Sequence, residues 1–261
     1  MSVIDLSFLD QPWILRLIFY PRKEFEIEPR DPKTVNHFIE VGEGVSIGCR
    51  FYPANKRGPT VFYFHGNGET VCDYDYVAPL FQKIGINLFV NDYRGYGLSD
   101  GSPTVTDMVK DAHTLFLGFK RFIIEEGYEG DIFVMGRSLG SIPAIEVASS
   151  YSGELSGIII ESGFAGVLKL ISRFNINIGS LDGDEGIDEK IEKIKIPALV
   201  IHAEKDQLIP LFIGKGLYNA IPSEEKTLVV IPDADHNNLM MVGMEEYFKA
   251  LSVLVFGSES E

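Results

Sequence analysis

The sequence contains few cysteines and few basic residues for its length. Cys49 and Cys72 are the only two cysteines among 261 residues, which excludes a disulfide scaffold and a cysteine-rich zinc site. Lys and Arg number 23 against 38 Asp and Glu, so the formal net charge is −15. A surface this acidic repels phosphate backbones, and nucleic-acid binding is therefore not expected. The low cysteine content favours a reducing, cytoplasmic location.

The sequence also lacks long hydrophobic runs. A membrane-spanning helix needs about 20 apolar residues, whereas the apolar stretch Trp13–Tyr20 is short and contains Arg16. Met1–Asp10 has two aspartates and no basic residue, unlike a secretory signal. We expect no integral membrane span and a short helix packed on the domain. An alternative is an interfacial helix that makes peripheral membrane contact through Trp13, Ile14, Leu17 and Ile18.

Apolar runs and helical segments alternate along the rest of the chain. His37–Val41 and Val45–Tyr52 flank a Gly-Glu-Gly turn and predict an antiparallel hairpin. Later runs are continuously apolar, as in strands buried on both faces. They are Thr60–Phe64, Asn87–Asn91, Asp131–Met135, Gly157–Ile160, Ala198–His202 and Thr227–Ile231. The helical segments between and after them are Tyr74–Ile84, Val105–Glu126, Ile142–Ser150, Phe212–Ala220 and Glu245–Phe256. The pattern predicts an α/β fold with a mostly parallel central sheet and helices on both faces.

We predict a single domain over 1–261, with an N-terminal extension at 1–34 and an insertion at about 161–196. The insertion is longer than one connecting helix requires, which is typical either of a lid or cap or of a longer crossover connection. If the insertion forms a lid, its apolar part would line an acyl pocket, so Phe164 and Leu168 are candidate substrate-binding residues. The acidic run Asp182–Glu192 is interpreted as a solvated face, although it would also discourage strongly anionic substrates.

The strongest chemical signal is a Gly-x-Ser-x-Gly motif formed by residues 136–140. It directly follows the predicted strand Asp131–Met135 and precedes a helical segment, the context that a nucleophile elbow requires. A sharp turn there holds the serine in a strained conformation at a helix N-terminus, which favours developing negative charge. The motif predicts Ser138 as a nucleophile.

A serine hydroxyl needs a base to take its proton, and the sequence offers five histidines. His37 and His113 lie in the hairpin and in a helix, His202 lies inside a strand, and His65 belongs to a glycine-rich loop. His236 lies in the loop between the last strand and the last helix. A ring in that loop can project over the carboxyl ends of the strands, where ligands bind in α/β sheets.

The third member should be a carboxylate that orients the imidazole. Asp206 follows the strand Ala198–His202, and the chain order Ser138, Asp206, His236 is that of α/β-hydrolases. Glu204 is the competing carboxylate and Asp235 is a weaker one.

Acyl transfer also requires donors aimed at an oxyanion. The turn His65-Gly66-Asn67-Gly68 follows the strand Thr60–Phe64, and Leu139 follows the nucleophile. The backbone N–H groups of Asn67 and Leu139 are the candidate oxyanion donors, with the His65 and Asn67 side chains expected to hold the turn.

The sequence resembles the α/β-hydrolase superfamily over about Val35 to Phe256, and three motifs carry the resemblance. They are most similar to the esterase and thioesterase branch that contains the Bem46-like and alpha/beta-hydrolase domain 13 and 17 proteins. The motifs are His65-Gly66-Asn67-Gly68-Glu69, Asp92-Tyr93-Arg94-Gly95-Tyr96-Gly97 and Gly136-Arg137-Ser138-Leu139-Gly140. The resemblance implies that Ser138, Asp206 and His236 are nucleophile, acid and base. The sequence departs from the family at Ala203, Asp233 and Asp235, where glycines are usual.

These observations predict a serine hydrolase that cleaves a small-molecule carboxylic ester or thioester through an acyl-enzyme. The chemistry needs no cofactor, and no metal-binding constellation is present. A serine aminopeptidase-like amide hydrolase and a non-enzymatic ligand-binding protein on the same fold are the alternatives. The sequence does not indicate an oligomeric state.

Overall fold

The computed structural model describes residues 7–25, 28–164 and 189–257. Two compact units make up the chain, Met1–Ile132 and Phe133–Glu261. The single domain over 1–261 stays a prediction.

The first unit contains the predicted hairpin and the first parallel strands. Its strands are β1 (Val35–Gly42), β2 (Val45–Tyr52), β3 (Thr60–Phe64) and β4 (Asn87–Asn91). β1 pairs with β2 and β2 with β4, both antiparallel, whereas β3 and β4 are parallel. Every residue of β3 and β4 is buried, which explains their uninterrupted apolar sequences.

The helices of the first unit are α1 (Pro12–Ile18), α2 (Ala78–Lys83) and α3 (Val105–Glu125). The helical segment predicted over Tyr74–Ile84 contains α2 but is longer than it, because a 3-10 turn at Val71–Asp75 precedes α2. Pro79 favours a helix start, since proline lacks the N–H that a first turn leaves unpaired.

α3 packs through an apolar stripe and is capped at its N-terminus. Thr104 Oγ1 accepts from the Asp107 N–H at 2.9 Å, and Asp10 Oδ1 accepts from the Val105 N–H at 2.8 Å. Its phenylalanines lie in an aromatic core. Burial of each side chain contributes roughly 1.5–3 kcal/mol to the stability of the fold. That core contains Phe51, Phe62, Phe89, Phe116, Phe119 and Phe122.

The N-terminal helix α1 packs on the first unit. Ile14 and Ile18 are 2% and 1% exposed, whereas Trp13 is 46% exposed. Two of the four apolar residues of the alternative interfacial helix therefore face the protein, which supports the packed helix; peripheral membrane contact stays a prediction. Within the described part of the chain, no helix is both long and apolar enough to cross a membrane.

The second unit contains four parallel strands among its described residues. They are β5 (Ile132–Arg137), β6 (Gly157–Glu161), β7 (Ala198–Ala203) and β8 (Lys226–Ile231), in the spatial order β5-β6-β7-β8. Because the strands are parallel, their carboxyl ends lie at one edge, where the loops that follow them meet. β6 and β7 are buried along their whole length.

The helices of the second unit are α4 (Ser141–Ser150), α5 (Leu211–Ala220), α6 (Leu239–Val242) and α7 (Met244–Phe256). α4, α5 and α7 agree with the predicted segments to within one residue at each end. Of the predicted insertion at about 161–196, residues 165–188 lie outside the described residues, and Leu168 is among them. The flanking residues contact α4: the Phe164 N–H donates to Ser141 Oγ, and Lys190 forms an ion pair with Glu146.

Candidate active site

Ser138 lies at a strained turn between β5 and the helix α4. Its φ angle is 50°, in the left-handed region that non-glycine residues rarely adopt. Gly136 allows the turn, since a Cβ there would lie 2.7 Å from the Cβ of Ala144 and nearer still to the carbonyl of Gly140. The predicted nucleophile elbow is therefore present as a backbone structure.

His236 approaches Ser138 from the loop after β8. Its Nε2 lies 3.0 Å from Ser138 Oγ, and both residues are largely buried. In the same loop Asp233 has a φ angle of 61°, the conformation that the family's usual glycine favours. Asp233 also pairs with Lys205 at 2.6 Å. The loop therefore accommodates an aspartate where the α/β-hydrolases usually have a glycine, and His236 still reaches Ser138.

Asp206 completes the hydrogen-bonded chain. Its Oδ2 lies 2.7 Å from His236 Nδ1, and its Oδ1 accepts from the N–H groups of Leu208 (2.9 Å) and Ile209 (2.7 Å). Burial alone would raise the pKa of Asp206, but the hydrogen bond and charge of His236 and the Ile209 amide outweigh burial and lower it. Asp206 is therefore held ionised.

The hydrogen bonds also assign the imidazole tautomer. An ionised Asp206 can only accept, so Nδ1 of His236 carries the proton that lies between them. Nε2 then presents a lone pair to the Ser138 hydroxyl, which donates to it. This arrangement can remove the hydroxyl proton as the oxygen attacks an electrophile.

The two competing carboxylates have other partners. Glu204 Oε2 accepts from the Asp233 N–H at 3.1 Å. Asp235 Oδ1 accepts from the N–H groups of Asn237 and Asn238, which precede α6. Of the three candidates, it is Asp206 that the structure brings to the imidazole.

The remaining predicted site residues have varied positions. Leu139 is the second residue of the 3-10 turn Ser138–Gly140 that leads into α4, where backbone N–H groups are not used by the helix itself. Phe164 is only 1% exposed, so its contact with a substrate stays a prediction. Leu168 lies outside the described residues.

Asn67, in the first unit, holds the N-terminal segment with its side chain. Its Nδ2 donates to the carbonyl of Ile18 at 2.5 Å, and its Oδ1 accepts from the Tyr20 N–H at 2.9 Å and the Tyr96 hydroxyl at 2.6 Å. The side chain therefore supports the turn, as expected, and an oxyanion role for its backbone N–H stays a prediction.

His65 in the same turn pairs with a buried aspartate. Its Nε2 lies 3.1 Å from Asp92 Oδ1, and its Nδ1 lies 2.8 Å from the carbonyl of Gly66. Burial alone would lower the pKa of His65, but Asp92, Glu69 and the Gly66 carbonyl outweigh burial and raise it. Because both ring nitrogens face acceptors, the protonated ring is favoured and holds the turn.

Sequence reasoning missed that Arg137 and Glu161 support the site, whereas it did place His202 inside a strand. The Arg137 guanidinium contacts both Glu161 and the backbone carbonyl of His236. His202 Nε2–H donates to the carbonyl of Ile209 at 2.7 Å, and burial lowers the pKa of this histidine. The available signals were an arginine inside the serine motif and a glutamate at the end of a buried strand.

The described residues contain no group of three or more His, Cys, Asp or Glu side chains placed to hold a metal ion.

The chain is similar to several known proteins. The family model described as serine aminopeptidase, S33 (Hydrolase_4) matches residues 55–181. Human alpha/beta hydrolase domain-containing protein 17B is 26% identical over 247 residues, covering 93% of this chain and 82% of that protein. Protein 17C from Xenopus tropicalis is 27% identical over 235 residues, covering 88% of this chain and 73% of that protein. The predicted resemblance to this branch is confirmed.

Solved structures share the fold at lower identity. The Pyrococcus furiosus esterase Pf2001 superposes with a TM-score of 0.74 at 20% identity, covering 92% of this chain and 98% of that one. Est1E from Butyrivibrio proteoclasticus superposes with a TM-score of 0.64 at 17% identity, covering 83% and 99%. The predicted α/β-hydrolase fold is confirmed, and the matches together support a hydrolase.

Proposed function

We propose that this chain, an α/β-hydrolase by fold, is a serine hydrolase that cleaves a carboxylic ester or thioester. One observation carries the proposal: Ser138, His236 and Asp206 form a hydrogen-bonded chain with distances of 3.0 and 2.7 Å, ending at a strained serine. Binding alone does not require a nucleophile, a base and an orienting carboxylate in this geometry.

In the first half-reaction, Ser138 Oγ attacks the acyl carbonyl as its proton passes to His236 Nε2. Asp206 stabilises the imidazolium that forms and does not take the proton itself. His236 then donates the proton to the leaving oxygen or sulfur, so that an alcohol or thiol departs and the acyl group remains on Ser138.

In the second half-reaction, water replaces the leaving group. His236 Nε2 takes a proton from the water as it attacks the acyl-enzyme, and the same proton returns to Ser138 Oγ when the carboxylic acid leaves. The net reaction consumes one water and needs no cofactor. We propose the backbone N–H of Leu139 as a donor to the oxyanion that forms on the acyl carbonyl; the Asn67 N–H stays a prediction from the sequence.

Amide cleavage is the second candidate function. The family model that matches residues 55–181 is described as serine aminopeptidase, S33, whereas the Pyrococcus furiosus protein Pf2001, which shares the fold, is described as an esterase. An amide requires protonation of a poorer leaving group but uses the same three side chains. The two functions therefore differ in substrate and share Ser138.

Hydrolysis of p-nitrophenyl esters from acetate to palmitate, beside S-acyl thioesters and aminoacyl anilides, tests the proposal. We expect wild type to hydrolyse esters or thioesters and Ser138→Ala to be inactive, with the preferred acyl length reporting the pocket size. Activity on the anilides alone would establish the amidase. A wild type that is inert on all three, and is not labelled by a fluorophosphonate, would be a binding protein.

A further inference from the structure

Arg137 connects the nucleophile's strand to the loop that carries the base. Its Nε–H donates to Glu161 Oε1 at 3.0 Å, and its Nη2–H donates to the backbone carbonyl of His236 at 2.8 Å. We propose that Arg137, held by Glu161, is a positioning residue that keeps His236 within reach of Ser138. The proposal rests on the proposed function, since it assigns a role in the same reaction.

The order of the strands creates the need for such a link. Ser138 follows β5 and the His236 loop follows β8, with β6 and β7 between them. Three strand spacings of about 4.8 Å separate β5 from β8 by roughly 14 Å. The loop must therefore reach back across two strands to bring Nε2 within 3.0 Å of Ser138 Oγ.

Other bonds tie the loop to a different strand. The Lys205 N–H donates to the carbonyl of Ala234 at 2.8 Å, and Glu204 accepts from the Asp233 N–H. Both bonds run to the segment after β7. The bond from Arg137 instead links the loop to the end of β5, one residue from the nucleophile. It therefore restrains the distance between Ser138 and His236.

Glu161 fixes the guanidinium in turn. This carboxylate ends β6, is 3% exposed, and uses both oxygens: Oε1 accepts from Arg137, and Oε2 accepts from the Tyr247 hydroxyl on α7 at 2.7 Å. Removal of one partner from a buried ion pair leaves an uncompensated charge and is strongly unfavourable. With the carboxylate anchored on both sides, the planar guanidinium has a defined orientation towards the His236 carbonyl.

The backbone of Arg137 enters the elbow, while its side chain contacts the base loop. One residue thereby couples the position of the nucleophile to that of the base. A displacement of about 1 Å in a reacting group can cost on the order of 100-fold in rate, so loss of the guanidinium should lower turnover without removing any of the three reacting side chains.

The test compares Arg137→Met, Arg137→Lys and Tyr247→Phe with wild type on the best ester. Each protein is assayed for kcat, KM, the rate of inactivation by a fluorophosphonate, and melting temperature. Arg137→Met should lose about 100-fold in kcat, with a KM close to that of wild type and a parallel loss in inactivation rate. Arg137→Lys should have a kcat between those of Arg137→Met and wild type. The ammonium keeps the positive charge, but it lacks the planar two-donor fork of the guanidinium.

Lys226→Met is the matched control for general destabilisation of the second unit. Lys226 Nζ donates to the carbonyls of Tyr218, Asn219 and Ile221 at the end of α5, away from Arg137 and Glu161 in the sequence. This variant should have a lower melting temperature than wild type and an unchanged kcat. An equal loss of kcat in Lys226→Met and Arg137→Met would overturn the positioning role.

The outcomes separate this proposal from the proposed function. An active wild type together with a folded Arg137→Met that turns over at the wild-type rate refutes the positioning role alone. An inert wild type refutes the proposed function and this role with it. If Arg137→Met does not fold, Arg137→Lys and Tyr247→Phe decide: both should fold and show a lower kcat at unchanged KM, and wild-type rates in both would refute the role.

Discussion

Replacement of Asp206 by asparagine tests the orientation of the catalytic imidazole. Oδ1 of Asp206 accepts two backbone N–H groups, from Leu208 and Ile209. An asparagine must place its amide oxygen there, because the opposite orientation would bring an NH₂ group against both donors. Its NH₂ group then faces His236 Nδ1, which must accept. The proton of the neutral imidazole then lies on Nε2. A protonated Nε2 can no longer accept the proton of the Ser138 hydroxyl.

The expected loss follows from this change of tautomer. In the serine proteases, the same replacement lowers kcat by about 10⁴-fold, which corresponds to roughly 5.4 kcal/mol of transition-state stabilisation. We expect a loss of that order for Asp206→Asn with KM little changed, because the substrate-binding surface is retained. The residual activity should exceed that of the uncatalysed reaction.

The assay is ester hydrolysis with the melting temperature measured in parallel. Glu204→Gln is the matched control, since Glu204 lies near Asp206 in sequence and accepts a hydrogen bond from the backbone of Asp233 instead of from the ring. It should retain nearly full activity. The reasoning is refuted if Asp206→Asn keeps turnover close to wild type, or if Glu204→Gln loses as much.

Two further predictions concern the elbow and the buried histidine. Gly136→Ala should destabilise the protein and abolish fluorophosphonate labelling, because its Cβ would lie 2.7 Å from that of Ala144; thermal melting and labelling at wild-type values would contradict this. The pKa of His65 is raised by Asp92, so the pair stabilises the fold fully below the ordinary histidine pKa, about 6.5, and this contribution is lost as pH rises through the folded value. The difference in unfolding free energy between wild type and His65→Gln should therefore shrink with rising pH in denaturant titrations, and a constant difference would exclude the charged pair.

Local sequence predicted the parts of the site that local structure determines. The elbow is encoded within five residues, since Gly136 and Ser138 together demand a tight turn after a buried strand. Asp206 and His236 were found because a parallel sheet brings the ends of its strands to one edge. Glu204 could not be excluded from sequence, since only the direction of the turn after β7 decides which carboxylate meets the ring.

The supporting contacts depend on side chains that reach between elements. Arg137 and Glu161 lie 24 residues apart, and their meeting follows from the pairing of β5 with β6. The side chain of Asn67 binds Ile18 and Tyr20, which no spacing in the sequence indicates. Such contacts follow from tertiary packing and have no local pattern.

Labelling of the intact protein by a fluorophosphonate, read by mass spectrometry, tests the central claim most directly. The account predicts one adduct on wild type, located on the peptide that contains Ser138, and slower labelling when a turned-over ester is present. Ser138→Ala should remain unlabelled. A wild type that never reacts, or a Ser138→Ala variant that reacts equally well, would contradict the assignment of Ser138 as the nucleophile.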